Sequence, residues 1–277
     1  MQPVQAYREF FANFIVRSVG SSSESLIAAF ASVPREHFVG NGPWPVCVFP
    51  GYLPTISDDP RHLYQDILIG LATDRGINNG QPSLHACCLD ACAPTEGEAV
   101  LHIGAGTGYY TAVLAALVGP TGRVVAYEIE PDLAARASAN LKALANATVQ
   151  SASANDAALP NSDVIYANAG ATHPPAVWLD ALNVGGRLLF PLTPNEGLGC
   201  MLLVTRRTPA NYAASVVMRA AFIPCIGARD DDASRSLAAA LETQSLTSVK
   251  SLRRSTPPDH TVWCAGSGWW LSTVEVE

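Results

Sequence analysis

Glu98-Ala-Val-Leu-His-Ile-Gly-Ala-Gly-Thr-Gly-Tyr-Tyr-Thr-Ala-Val-Leu-Ala115 is the stretch that decides the fold. Ala99 to Ile103 is a short apolar run and reads as a buried strand. Gly104, Gly106 and Gly108 follow at alternate positions, and an apolar helical stretch then begins. Glycine suits this corner because it tolerates positive φ and lets another molecule approach the backbone closely. The unpaired N–H groups of the next helix face whatever lies over the turn. Further on, Gly122-Arg-Val-Val-Ala-Tyr-Glu-Ile-Glu-Pro131 gives a second buried strand ending at Glu128. A carboxylate there can accept both ribose hydroxyls of a bound nucleoside.

The spacing G-x-G-x-G followed by Tyr109 differs from the dinucleotide fingerprint G-x-G-x-x-G. It resembles the first motif of the S-adenosyl-L-methionine-dependent methyltransferases. That resemblance implies S-adenosyl-L-methionine as cofactor and S-adenosyl-L-homocysteine as product. It also implies cofactor contacts from His102, Gly104, Ala105, Gly106, Gly108 and Tyr109, and from Glu128 and Ile129 after the second strand.

Composition sets outer bounds. The 277 residues make one large domain or a domain with substantial additions. Hydrophobic residues are 48% and charged residues 15%, which leaves ample side chain for a core. A net charge of −7 argues against a nucleic-acid partner, since a phosphate backbone needs a basic face. No apolar run reaches the ~18 residues of a membrane span, and Met1 to Glu9 lacks the order of a signal peptide. The seven cysteines include Cys87, Cys88 and Cys92, with no C-x-x-C and no histidine at ligand spacing, so buried free thiols are expected and no metal. A cytoplasmic protein is expected; the oligomeric state is not legible.

Along the chain, apolar residues at helical spacing predict a helix over 4–18, and Ser21-Ser-Ser-Glu24 caps a second one to Ser32. Val33-Pro-Arg-Glu-His-Phe-Val39 follows. It is similar to the signature near the start of protein-L-isoaspartate O-methyltransferases, and further matches come in that family's order. Leu63-Tyr-Gln-Asp-Ile-Leu-Ile-Gly70 resembles its Tyr-x-Asp segment, Gln81-Pro-Ser-Leu-His-Ala86 the loop before its first core helix, and Gly185-Gly-Arg-Leu-Leu-Phe-Pro191 its "GGRLxxP" strand. The Pro- and aromatic-rich stretch from Gly42 to Pro60 reads as a loop, either a substrate-side lid or a flap packed on the core.

A helix over 131–145 and strands over 147–151, 163–167 and 185–191 come next, with a short helix at 178–182. Two strands within 199–225 flank a hairpin-like connection, and Ala221 to Gly227 resembles the family's "FVPL" strand. A capped helix over 230–241 leads to a tail with Trp263, Trp269 and Trp270, which either packs on the core or lines a groove. The expected fold is α/β, a doubly wound, mainly parallel, seven-stranded Rossmann-like methyltransferase sheet with helices on both faces. N-terminal helices and a lid occupy 1–80, the cofactor core 81–227, and a C-terminal extension 228–277.

The resemblance also shows where this chain departs. The family's catalytic loop carries a serine two residues before its proline; here that position is Gly80. Asn79 and Gln81 are candidates to orient a carboxylate or amide, and also read as an ordinary turn. His85 matches a histidine of some members. His102 meets either the cofactor or only the core. His173, after Asn168-Ala-Gly-Ala-Thr172, is a candidate base or carboxylate ligand. The family's adenine motif is replaced by Ser153-Ala-Asn-Asp156, leaving Asn155 and Asp156 both open, and Asn168 completes the cofactor set.

Methyl transfer from a sulfonium is an in-line displacement in which positioning supplies most of the acceleration. A carboxylate acceptor, with a pKa of about 4, is already ionised at neutral pH and needs no base. The expected activity is therefore carboxyl O-methylation of a peptide, protein or small molecule. Two alternatives stand beside it: N- or O-methylation with a histidine base, and a non-catalytic S-adenosyl-L-methionine-binding module.

Overall fold

Short apolar runs alternate with helical stretches over most of the chain, and the computed structural model, which describes residues 3–156 and 158–276, turns each into an element. In order these are α1 (Val4–Ser18), α2 (Glu24–Ser32), β1 (Pro45–Val48), β2 (Gly51–Pro54), β3 (Gly70–Ala72), β4 (Ile77–Asn78) and α3 (Pro82–Cys92). Then follow β5 (Ala99–Ile103), α4 (Tyr109–Val118), β6 (Arg123–Glu128), α5 (Pro131–Asn140), β7 (Ala147–Ser151) and β8 (Ser162–Ala167). The remainder is α6 (Ala176–Ala181), β9 (Leu182–Leu192), β10 (Gly199–Arg206), β11 (Tyr212–Ala220), α7 (Asp231–Thr243), β12 (Ser251–Arg254), β13 (Val262–Gly266) and β14 (Trp269–Ser272). Local chemistry sets the ends. The Ser23 hydroxyl accepts the Leu26 N–H and the Asp230 carboxylate accepts the Ala233 N–H, while Pro82 and Pro131 open α3 and α5.

Contacts divide the chain into two compact units, residues 1–98 with 105–152, and residues 99–104 with 153–277. In the first, β6 and β7 pair in parallel from Val124↔Ala147 to Glu128↔Ser151. Its core includes Phe11, Ile15, Phe30, Leu89 and Leu114. Arg35 is fully buried there, its guanidinium donating to the carbonyls of Leu63 (2.6 Å), Gln65 (2.9 Å) and Ile67 (3.2 Å) and lying over the Phe11 ring.

In the second unit the strand order is β13-β14-β12-β11-β10-β9-β8-β5. β5/β8 and β8/β9 are parallel, and the pairs from β9 outward are antiparallel. The strands expected of the Rossmann-like α/β fold are thus β5 to β11, with each of β5 to β9 in a parallel pair. The tail adds β12, β13 and β14. Trp263, Trp269 and Trp270 are buried, so the packing reading of the tail holds.

Three expectations change. The 42–60 stretch is not plain loop: β1 and β2 form a hairpin, Pro45↔Pro54 to Val48↔Gly51. The 131–145 helix stops at Asn140, whose side chain donates to the Thr107 carbonyl while the chain turns through Leu141 and Leu144. Ala221 to Gly227 is not a strand. Pro224 lacks a donor, Gly227 has φ +84°, and only the bridge Gly170↔Pro224 forms. α3 carries Cys87, Cys88 and Cys92, and none of the seven cysteines forms a disulfide among the described residues. Among the described residues no helix is long and apolar enough to cross a membrane.

Arg35→Met would leave three carbonyls short of their donor, and such losses cost about 1–3 kcal/mol each when buried. The expected result is a urea midpoint lowered by the equivalent of about 3 kcal/mol or more at an unchanged slope.

Candidate active site

The glycine turn of the first unit is built around one carboxylate. Glu128, at the carboxyl end of β6 and 6% exposed, accepts the Gly106 N–H on Oε2 (2.6 Å) and the Glu130 N–H on Oε1 (3.0 Å). The Ala105 N–H donates to the Tyr127 carbonyl (3.1 Å), so turn and strand end are tied twice. Burial pushes the Glu128 pKa up, and the backbone N–H groups oppose the rise. Gly108 has φ +95°, and a Cβ there would lie 3.0 Å from Leu141 Cδ1, so the turn admits no side chain at the start of α4. Ile129 is 40% exposed beside the carboxylate. Tyr109 is instead embedded in the core, edge-on to Phe38.

The loop before α3 is held on both sides. Asn79 exchanges hydrogen bonds with Ile69, its N–H to the Ile69 carbonyl (2.9 Å) and its Oδ1 accepting the Ile69 N–H (2.8 Å). Its Nδ2 is buried without a partner. Gln81 Nε2 donates to Asp66 Oδ2 (2.9 Å), and Ser83 donates to Asp66 through its N–H (2.8 Å) and hydroxyl (2.6 Å). Asp66 therefore caps α3 and fixes the loop. Sequence reasoning quoted it and gave it no role; the signal was a carboxylate in a motif preceding a helix start that lacks its own cap.

His85 is buried and stacks on Tyr110 with ring centroids 3.7 Å apart. Gly80 has φ +73°, and a Cβ built on it would sit 2.2 Å from His85 Nε2. The imidazole thus fills the space that a side chain at position 80 would need. Asn79, Gly80, Gln81 and His85 share one loop and helix start, with Gln81 turned toward Asp66.

The second unit carries the other candidates. His102 is fully buried on β5, its Nε2 2.8 Å from Asn168 Nδ2. Burial drives its pKa down to about 3, so the ring is neutral. Asn168 donates its N–H to the Ile103 carbonyl (2.8 Å), lies beside Gly104, and keeps a buried Oδ1 without a partner. Asn155 Nδ2 donates to the Ile226 carbonyl (2.8 Å), and its Oδ1 is likewise buried and unpartnered, whereas Asp156 is exposed. His173 is half-buried with Nδ1 3.2 Å from Thr172 Oγ1; burial lowers its pKa, Asp230 opposes this and Arg229 adds to it.

Unfolded His102 takes a proton near pH 6.5 and the folded ring only near pH 3, so the unfolded state binds more protons between these values. The contribution of His102 to stability is therefore full above pH 6.5 and is lost as pH falls toward 3. Relative to wild type, His102→Gln should flatten the stability–pH curve in that window by up to about 1.4 kcal/mol per pH unit. Separately, Gly80→Ser should destabilise the fold by about 1–3 kcal/mol through its backbone conformation and the displaced imidazole. Adding His85→Ala in the same chain should recover part of that loss in urea denaturation.

The family model described as protein-L-isoaspartate(D-aspartate) O-methyltransferase matches residues 13–230. The protein-L-isoaspartate O-methyltransferase of Ignicoccus hospitalis is 31% identical over 224 residues, covering 79% of this chain and 96% of that protein. Protein-L-isoaspartate O-methyltransferase 2 of Marinobacter nauticus is 31% identical over 217 residues, 75% of this chain and 87% of its own. Among solved structures, a putative protein-L-isoaspartate O-methyltransferase from Plasmodium falciparum, in complex with S-adenosyl-L-homocysteine, superposes with a TM-score of 0.64. It is 16% identical and covers 79% of this chain and 98% of that one, a likeness of fold.

Proposed function

Because the chain belongs to the protein-L-isoaspartate(D-aspartate) O-methyltransferase family, we propose that it methylates a carboxylate of a peptide or protein acceptor. It is an S-adenosyl-L-methionine-dependent methyltransferase, which removes the non-catalytic module as an alternative. The observation that carries the acceptor-independent half of this reading is Glu128. It is a buried carboxylate at a strand end, fastened to the glycine turn by backbone N–H groups.

Each unit, taken by itself, carries groups that match a part of the cofactor. A ribose brings hydroxyl donors, and Glu128 offers two carboxylate oxygens. An adenine amino group needs an acceptor, and Asn155 Oδ1 is a buried acceptor without a partner, which favours Asn155 over the exposed Asp156. An α-ammonium needs another, and Asn168 Oδ1 is available in the same way. When bound, the cofactor supplies a methyl group on a positively charged sulfur.

The chain's own residues then have an orienting task. Asn79 offers a buried Nδ2 donor for the acceptor's carboxylate or neighbouring amide, with Gln81 and His85 framing the loop. No general base is required, since a carboxylate is ionised at neutral pH. His173 is then a ligand for the acceptor rather than a proton acceptor.

The test is turnover of S-adenosyl-L-methionine with an isoaspartyl peptide, followed across pH. Glu128→Ala should weaken cofactor binding by roughly 100-fold, about 2.7 kcal/mol, in calorimetry. The wild-type kcat should stay level between pH 8 and pH 6, as read by initial rates. A kcat that falls as an imidazole protonates would instead identify a histidine base and an amine or hydroxyl acceptor.

A further inference from the structure

Arg229, whose charge bears on His173, is bound in an unusual way. Its Nη1 donates to the carbonyls of Gly170 (2.8 Å) and Thr193 (3.1 Å) and to the Thr193 hydroxyl (3.0 Å). Its Nε (3.3 Å) and Nη2 (2.7 Å) both donate to one atom, Asn195 Oδ1. Each of these partners is neutral, and among the described residues the guanidinium makes no ion pair. In a chain with 24 acidic and 17 basic residues, a half-buried cation without a carboxylate is notable.

The Nε/Nη2 edge is the one on which a carboxylate docks with two parallel hydrogen bonds. Here it is covered by the amide of Asn195, an exposed residue. That amide gives a single oxygen where a carboxylate would give two, and it carries no charge. Asn195 is turned there because its Nδ2 donates to Asp231 Oδ1 (2.9 Å) and its N–H to Ser234 Oγ (2.8 Å). The surroundings suit a chain rather than a small ion. Arg229 is bonded to Gly170, in the loop that opens with Asn168 after β8, and Leu198, Ile223 and Ile226 on the neighbouring loops are exposed apolar side chains.

We propose that the Arg229 fork is an acceptor-anchoring site that takes a carboxylate of an acidic polypeptide, displacing Asn195, while the apolar rim receives the flanking residues. This rests on the methyltransferase reading above and adds to it a preference for acceptors with a second negative charge. Arg229 is thereby a specificity-determining residue, and the reacting carboxylate is oriented elsewhere.

The experiment is calorimetric titration of the S-adenosyl-L-homocysteine-loaded protein with a short isoaspartyl peptide carrying a neighbouring glutamate, and with its glutamine twin. Wild type should prefer the glutamate peptide by about tenfold or more. Arg229→Met should abolish the preference. Because that variant also loosens the loop clamp, a second one is decisive. Asn195→Asp with Asp231→Asn moves the carboxylate onto the fork and keeps the net charge, and it should lose the preference while cofactor affinity stays at the wild-type value. Equal wild-type affinity for the two peptides, or a retained preference in the double variant, overturns the proposal. Free glutarate binding more tightly than the glutamate peptide would overturn the polypeptide source. The titration needs no turnover: absence of methyl transfer counts against the proposed function, and absence of charge preference counts against the Arg229 site.

Discussion

A buried carboxylate without a cation beside it must be held by backbone dipoles, and among the described residues Glu128 is held that way. Its two oxygens take N–H groups from Gly106, on the turn, and from Glu130, at the entrance to α5. The arrangement fixes two helix starts relative to one strand end, since α4 begins at Tyr109 and α5 at Pro131. Each carboxylate oxygen keeps a further lone pair that can accept a hydrogen-bond donor. Desolvation raises the pKa and the N–H groups resist the rise. The geometry of the turn and the charge state of the acid therefore depend on each other.

The loop before α3 is organised by a different economy of polar groups. Arg35 gives its donors to the carbonyls of Leu63, Gln65 and Ile67, and the residue between the last two, Asp66, gives its oxygens to Gln81 and Ser83. A cation buried in the core thus shapes the segment that presents an anion to the helix N-terminus. Asn79 and Gly80 are positioned as a consequence. The same loop shows why a missing side chain is not empty space. The His85 ring lies where a residue-80 Cβ would be, so a side chain at that position would have to displace the imidazole from its stack on Tyr110.

The parts of the molecule governed by local rules were legible in the sequence. β5 and α1 lie at their expected residues because an apolar run before glycines and a helical apolar spacing each have one reading. The glycine turn and Glu128 were legible for the same reason. What was not legible depends on contacts distant along the chain. Asp66 acquires its role from Ser83, and Asn155 is distinguished from the exposed Asp156 by its buried Oδ1 and by the Ile226 carbonyl that occupies its amide nitrogen. The β1–β2 hairpin was hidden by prolines at its ends, which suit an isolated two-stranded edge and argue against a strand only in a sheet interior. Ala221 to Gly227 failed in the opposite sense, since its apolar composition outweighed Pro224 and Gly227 in the reading.

Arg35 and Arg229 show how like residues part in function through exposure alone. Both donate to carbonyl oxygens, and neither relies on a carboxylate in those contacts. Arg35 is sealed, with aromatic rings of Phe11 and Tyr109 against its guanidinium, so its charge is spent inside the fold. Arg229 is fixed on one side by Gly170 and Thr193 but covered on the other by an exposed amide. Desolvation weakens its hold on the proton without removing it, since arginine stays charged over the whole working range. A net-negative chain repels anionic peptides at long range, and a fixed cation among neutral acceptors offsets that repulsion at one place. Selectivity for an acidic acceptor can then arise from a single side chain, because the rest of the surface disfavours the same charge.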